Sequence, residues 1–170
     1  MKKLFTVFFA ICLSGSAAAQ DIIVSYRDGA PADTFVIENQ SCALFNAQFV
    51  IDLHTSVAGV LIDTAYGGPG SWDPLPAILT EGDATLAPVS DGDRRLEIQV
   101  NALQPDGRVA VTLDTDDSVS ATEGQRVHVS GSEIAGATVQ MVVGGIGTQA
   151  VFDTLGDATL VNPTCLAPSS

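Results

Sequence analysis

The stretch Leu96-Glu97-Ile98-Gln99-Val100-Asn101 leads through Gln104-Pro105-Asp106-Gly107 into Arg108-Val109-Ala110-Val111-Thr112-Leu113. Apolar and polar residues alternate in the first run. An extended chain therefore places Leu96, Ile98 and Val100 on one face and Glu97, Gln99 and Asn101 on the other. Proline, aspartate and glycine together are turn chemistry, and the second run returns with Val109, Val111 and Leu113 on a common face. Two such runs about a short turn read as an antiparallel hairpin with six inward side chains.

The same pattern extends in both directions. Short period-two or β-branched runs at 22–26, 34–39, 48–53, 59–63 and 77–80 precede the hairpin, and 126–130, 137–143, 149–153 and 158–161 follow it. Gly, Pro, Asp and Asn bound each run, and glycine and proline density in 66–76 forbids regular structure there. About ten short strands with turn signals every 8 to 12 residues predict an all-β fold, an antiparallel β-sandwich. Ser132-Glu133-Ile134-Ala135 can form one helical turn between Gly131 and Gly136. Gly-Asp-Ala-Thr-Leu occurs at 82–86 and again at 156–160, but the flanking residues do not align, so it reads as chance recurrence.

The N-terminus reads as a secretory signal peptide. Lys2 and Lys3 precede an apolar run from Leu4 to Leu13 and a small-residue stretch ending at Ala17-Ala18-Ala19. The run is about half the ~20 residues that a membrane span needs. Cys12 lies deep in it, away from a lipoprotein cleavage position. Cleavage after 19 leaves 20–170 as a single domain, secreted or periplasmic, without a transmembrane segment. Cys42 and Cys165 are then the two remaining cysteines, and in an oxidising compartment two thiols most simply form one disulfide.

The chain has 20 acidic against 7 basic residues, a formal net charge of −13. Both lysines leave with the leader, so five arginines remain. A surface this negative repels nucleic acid and anionic lipid, which excludes both as main partners. It suits either solubility in a salty exterior or cation binding. Asp114, Asp116 and Asp117 crowd the end of the strongest strand, while Asp52, Asp63 and Asp153 fall at or near other strand ends. Oxygen-rich loop clusters suit calcium, which takes six to eight oxygens in flexible geometry. The helix-loop-helix calcium pattern does not fit, since Val119 and Gln125 occupy its glycine and glutamate positions. The candidate ligands are therefore Asp114, Asp116 and Asp117 with Asp52 or Asp63, against the alternative of solvated turn aspartates.

Catalytic signatures are lacking: the chain has no His-Glu-x-x-His, no Gly-x-Ser-x-Gly and no glycine-rich loop opening a helix. His54 and His128 read as surface histidines, so the chain is not read as an enzyme. Trp72, in a Gly/Pro-rich loop, either offers a flat face to a ligand or caps the sandwich. Asn39-Gln40-Ser41 matches the N-glycosylation pattern, but a bacterial-looking leader and the adjoining Cys42 argue against modification.

Several segments together resemble small secreted bacterial proteins labelled aggregation factor core proteins, after a sponge adhesion proteoglycan. They are 33–39 before Cys42, Ile51-Asp52-Leu53, 58–64, Asp91-Gly92-Asp93, 113–117 and 130–137. The resemblance implies an extracellular all-β protein linked to calcium-dependent adhesion, and transfers no individual ligand. The combined expectation is a secreted, disulfide-closed binding or adhesion module whose partner is an extracellular protein, a glycan or another copy of itself. An envelope-associated structural protein and a periplasmic hydrolase are the alternatives.

Overall fold

The computed structural model describes residues 21–66, 68, 74–118 and 128–165. The leader at 1–19 and Trp72 lie outside them. Among the described residues eleven strands form two antiparallel sheets. The six-stranded sheet contains β1 (Asp21–Arg27), β2 (Asp33–Asn39), β4 (Leu61–Asp63), β5 (Ile78–Glu81), β8 (Arg108–Asp116) and β11 (Asp157–Val161). Its order is β11-β1-β2-β8-β4, with β5 also paired to β8. The five-stranded sheet contains β3 (Leu44–Asp52), β6 (Asp83–Leu86), β7 (Arg95–Leu103), β9 (Thr138–Val143) and β10 (Ile146–Val151), in the order β10-β9-β3-β7-β6. The expected sandwich of short antiparallel strands is the observed fold.

Inward side chains from both sheets make one core, with Tyr26, Phe35, Phe49 and Phe152 its largest buried members. Phe35 packs against Tyr26 with ring centroids 5.3 Å apart, and against Phe152 at 6.1 Å in an edge arrangement. Burial of such side chains contributes about 1.5–3 kcal/mol each.

The central hairpin is corrected. β7 pairs with β3 and β6, whereas β8 pairs with β2, β4 and β5, so the 104–107 turn is an arch that carries the chain between sheets. All six inward residues, Leu96, Ile98, Val100, Val109, Val111 and Leu113, are nevertheless fully buried. They face one another across the sandwich instead of lying side by side. Asn39 holds the arch: its Nδ2 donates to the carbonyls of Cys42 and Leu103, each at 2.9 Å, and to that of Gln104 at 3.1 Å. Its carbonyl accepts from Asp106 N at 2.7 Å and its N–H donates to Gly107 O at 3.1 Å. The asparagine of the glycosylation pattern is thus a fully buried structural clamp.

Between β5 and β6 a single residue, Gly82, switches the chain from one sheet to the other at φ 94°. A Cβ there would come within 2.6 Å of the Arg108 carbonyl oxygen, so both the left-handed backbone and the close approach require glycine. The second copy of the pentapeptide is used alike. Gly156 at φ 80° feeds β11, and in both copies Ala and Leu turn toward the core from an edge strand.

The expected strand at 126–130 is also corrected over its described part. Residues 128–130 are not strand and lead into α1 (Gly131–Ile134). The Glu133 carboxylate accepts from Ser130 N at 2.7 Å and Ser130 Oγ at 2.8 Å, which turns the chain into the helix instead of a sheet.

Cys42 and Cys165 are bonded, with Cα atoms 5.7 Å apart across a sequence separation of 123. Closing so long a loop stabilises by ~2–4 kcal/mol in typical proteins. No helix among the described residues is long and apolar enough to cross a membrane.

Candidate metal centre

β8 carries two environments on alternate residues. Val109, Val111, Leu113 and Thr115 point into the core, so Ala110, Thr112, Asp114 and Asp116 project from the opposite face of the sheet. β4 pairs beside the end of β8 with Asp63 directly opposite Asp114 and Leu61 opposite Asp116. This register gathers three carboxylates. Asp63, Asp114 and Asp116 each place an oxygen such that all three atoms lie within 4.8 Å of one another. All three residues are buried, although they stand on the outer face.

The far side of β4 is built by 90–93. Ile62 N donates to Asp93 O at 2.8 Å and Gly92 N to Ile62 O at 2.9 Å, which seats Asp91 beside the trio. Asp91 Oδ1 accepts from Thr64 N at 2.9 Å and from Ala65 N at 3.3 Å. Gly68 lies against the same carboxylate so closely that any Cβ would overlap Asp91 Oδ2.

Electrostatics follow from this crowding. Burial pushes the Asp63 carboxyl up to about 7, assisted by a hydrogen bond shared with Asp91 and by the charge of Asp116. The Ala65 N–H, which donates to Asp63 Oδ1 at 3.4 Å, opposes the rise. Near neutrality Asp63 is therefore poised between a neutral acid and a carboxylate, which a proton or a cation can settle.

Beneath the site, Thr115 faces the other way and anchors the strand end. Its hydroxyl and its N–H both donate to Asp33 Oδ2, the latter at 3.2 Å. Tyr26 Oη lies 2.8 Å from Thr115 Oγ1 and 3.0 Å from the Val129 carbonyl oxygen. Burial raises the Asp33 carboxyl, while hydrogen bonds from Thr115, Gly29 and Tyr26 pull it down. Burial likewise raises the Tyr26 phenol, with the Asp33 charge adding to it. Asp33 thus fixes the backbone between Asp114 and Asp116 and thereby the direction in which both project.

Of the residues singled out in the sequence, Asp63, Asp114 and Asp116 are brought together. Asp117 is buried next in the chain, outside the trio. Asp52 is elsewhere, on the five-stranded sheet at the end of β3, opposite Arg95. Its Oδ1 accepts from His54 N at 3.0 Å and meets His54 Nδ1 at 2.7 Å, and the His54 backbone hydrogen bond is the chief reason its carboxyl is lowered. Asp153 is a turn former whose Oδ1 accepts from Leu155 N and Asp157 N. His54 and His128 are exposed. Sequence reasoning about strand ends missed Asp91 and Asp33. For Asp91 the signal was the acidic turn Asp91-Gly92-Asp93 itself; Asp33, at the head of a β-branched run, carries none that separates it from a turn aspartate.

The fold and the site together define a disulfide-closed antiparallel β-sandwich with a buried carboxylate cluster on the outer face of one sheet. No protein-family model matches the chain, and no curated protein or solved structure does so either.

Proposed function

We propose that this chain is an exported binding module of the cell exterior, and that Asp63, Asp114 and Asp116 hold a calcium ion that conditions its adhesive surface. The observation carrying this reading is the gathering of three buried carboxylates from two neighbouring strands. Buried like charges this close repel strongly, and a hard divalent cation is the partner that suits an all-oxygen donor set. In this reading Asp91, hydrogen-bonded to Asp63, completes or supports that set. The disulfide, the leader-like N-terminus and the resemblance to aggregation factor core proteins support an extracytoplasmic adhesion role.

A second reading is favoured by one specific observation. The raised Asp63 carboxyl lets a proton, shared with Asp91, do the neutralising. In that case the protein is an envelope-associated scaffold without a discrete ligand.

Thermal unfolding with calcium, with magnesium and with chelator at matched ionic strength separates the two. Calcium should stabilise by about 2.7 kcal/mol at one hundred times its dissociation constant. Magnesium should do less, because it demands tighter octahedral geometry and dehydrates reluctantly. Asp114→Asn combined with Asp116→Asn should abolish the calcium response. Equal shifts with both cations, unchanged in that double variant, would leave only charge screening and favour the scaffold.

A further inference from the structure

A sheet edge is a row of unpaired backbone groups, and natural proteins blunt it with charge, bulges or short strands. Three of the edges here are blunted. β11 begins at Asp157, which Arg27 pairs at 3.1 Å. β6 is four residues long, begins at exposed Asp83 and is bulged between Asp83 and Ala84. Beside β8, β5 is bulged between Leu79 and Glu81, and the outer side of β4 is bonded by Gly92 and Asp93. β10 carries none of these devices: among the described residues no strand pairs with its outer side, and β11 of the facing sheet is its nearest neighbour across the sandwich. The β10 sequence, Ile146-Gly147-Thr148-Gln149-Ala150-Val151, contains no charge and no proline, and its register with β9 is unbroken.

Alternation fixes which of its backbone groups face outward. Phe152 N donates to Ala137 O at 2.9 Å, so Phe152, Ala150, Thr148 and Ile146 bond inward to the β9 side. Gly147, Gln149 and Val151 therefore aim N–H and C=O away from the sheet, and no backbone group of a described residue bonds them there. All three residues are exposed.

We infer that β10 pairs antiparallel with β10 of a second copy of this chain, about a two-fold axis at Gln149. Only a register centred there sets Gln149 against itself and Gly147 against Val151, so that the outward groups of both strands meet as hydrogen-bonded pairs. On the solvent face each exposed Val151 side chain then lies over the Gly147 of the other copy, where no side chain obstructs it. Charge selects the partner. With 20 carboxylates against 7 basic residues two copies repel over most of their surface, but no charged residue occurs between Glu133 and Asp153. The strand needed is extended, neutral and matched in hydrogen-bond parity, and an identical β10 is all three. This pairing is independent of the cation reading.

Sedimentation equilibrium of the wild type, Gln149→Pro and Gln149→Glu provides the test. Proline removes an N–H that faces away from β9, leaving the internal ladder intact, and glutamate sets two like charges opposite each other at the axis. The wild type should reach a monomer–dimer equilibrium. Each substitution should raise its dissociation constant by about tenfold or more, with unchanged circular dichroism, and salt should partly restore the glutamate variant. If Gln149→Pro fails to fold, Gln149→Glu alone decides. A wild type that stays monomeric, or a dimer indifferent to the substitutions, overturns the inference.

Discussion

The two halves of β8 are built from the same alternation yet bury opposite chemistry. From Arg108 to Leu113 the buried set is Val109, Ala110, Val111 and Leu113, whose burial is favourable without any partner. From Asp114 to Asp116 every residue is buried too, but two are acids on the outer face and the third is a threonine bound to a buried aspartate. The first half stabilises the fold by excluding water. The second half costs stability unless protons, hydrogen bonds or a cation compensate it. A strand end whose burial is polar is therefore where ligand-linked behaviour belongs, and the core half is where mutations should act independently of any ligand.

The largest effect should come from the apolar half. Leu113→Ala should destabilise by ~2–5 kcal/mol in denaturant unfolding, and the loss should be the same with calcium or chelator. A loss below about 1 kcal/mol would mean that Leu113 does not face a packed interior.

Removing the bridge by Cys42→Ala with Cys165→Ala should cost ~2–4 kcal/mol by the same measurement, since it frees a very long loop in the unfolded chain. An unchanged midpoint would show that Asn162, whose side chain bonds Ser41 and Thr164, holds the C-terminal segment by itself.

The acidic half should respond to pH. Asp63 has a folded value of about 7 against an ordinary 3.8, so between these values the folded state keeps a proton that the unfolded chain has lost. Stability from this group is fully present below about pH 4 and is lost as pH rises through about 7. In chelator, Asp63→Asn should flatten that decline. With calcium the dependence should weaken, because the cation competes for the carboxylate form. A wild type and an Asp63→Asn variant with parallel pH profiles would contradict this assignment.

The smallest effect belongs to the exposed ion pair Arg108–Glu38, 3.1 Å apart at the start of the same strand. Arg108→Ala should change stability by less than about 1 kcal/mol, and salt should reduce even that. A larger change would place the arch, not the pair, under Arg108 control.

How far these contrasts were legible in the sequence depends on what alternation encodes. Alternation marks the face of a strand, so the six inward residues of 96–113 were identified correctly. It does not mark the neighbour, and a four-residue turn can return the chain beside itself or arch it to the opposite sheet. Here the chain arches, and the buried Asn39 side chain, far away in sequence, bonds the arch carbonyls. The same limit applies at the acidic site. Asp114 and Asp116 stand out by spacing, but Asp63 joins them and Asp52 does not because of register between distant strands. Asp33 acts through hydrogen bonds from Gly29 and Thr115 that no local pattern reveals, whereas the acidic turn 91–93 marks Asp91 but not the distant strand it bonds.

Whether the three carboxylates hold calcium is decided by anomalous scattering from crystals grown with calcium. An anomalous peak should lie at about 2.3–2.6 Å from carboxylate oxygens of Asp63, Asp114 and Asp116 and be absent in the Asp114→Asn, Asp116→Asn variant. Well-ordered carboxylates with no peak at saturating calcium, and Asp63 hydrogen-bonded to Asp91 as a neutral acid, would contradict it.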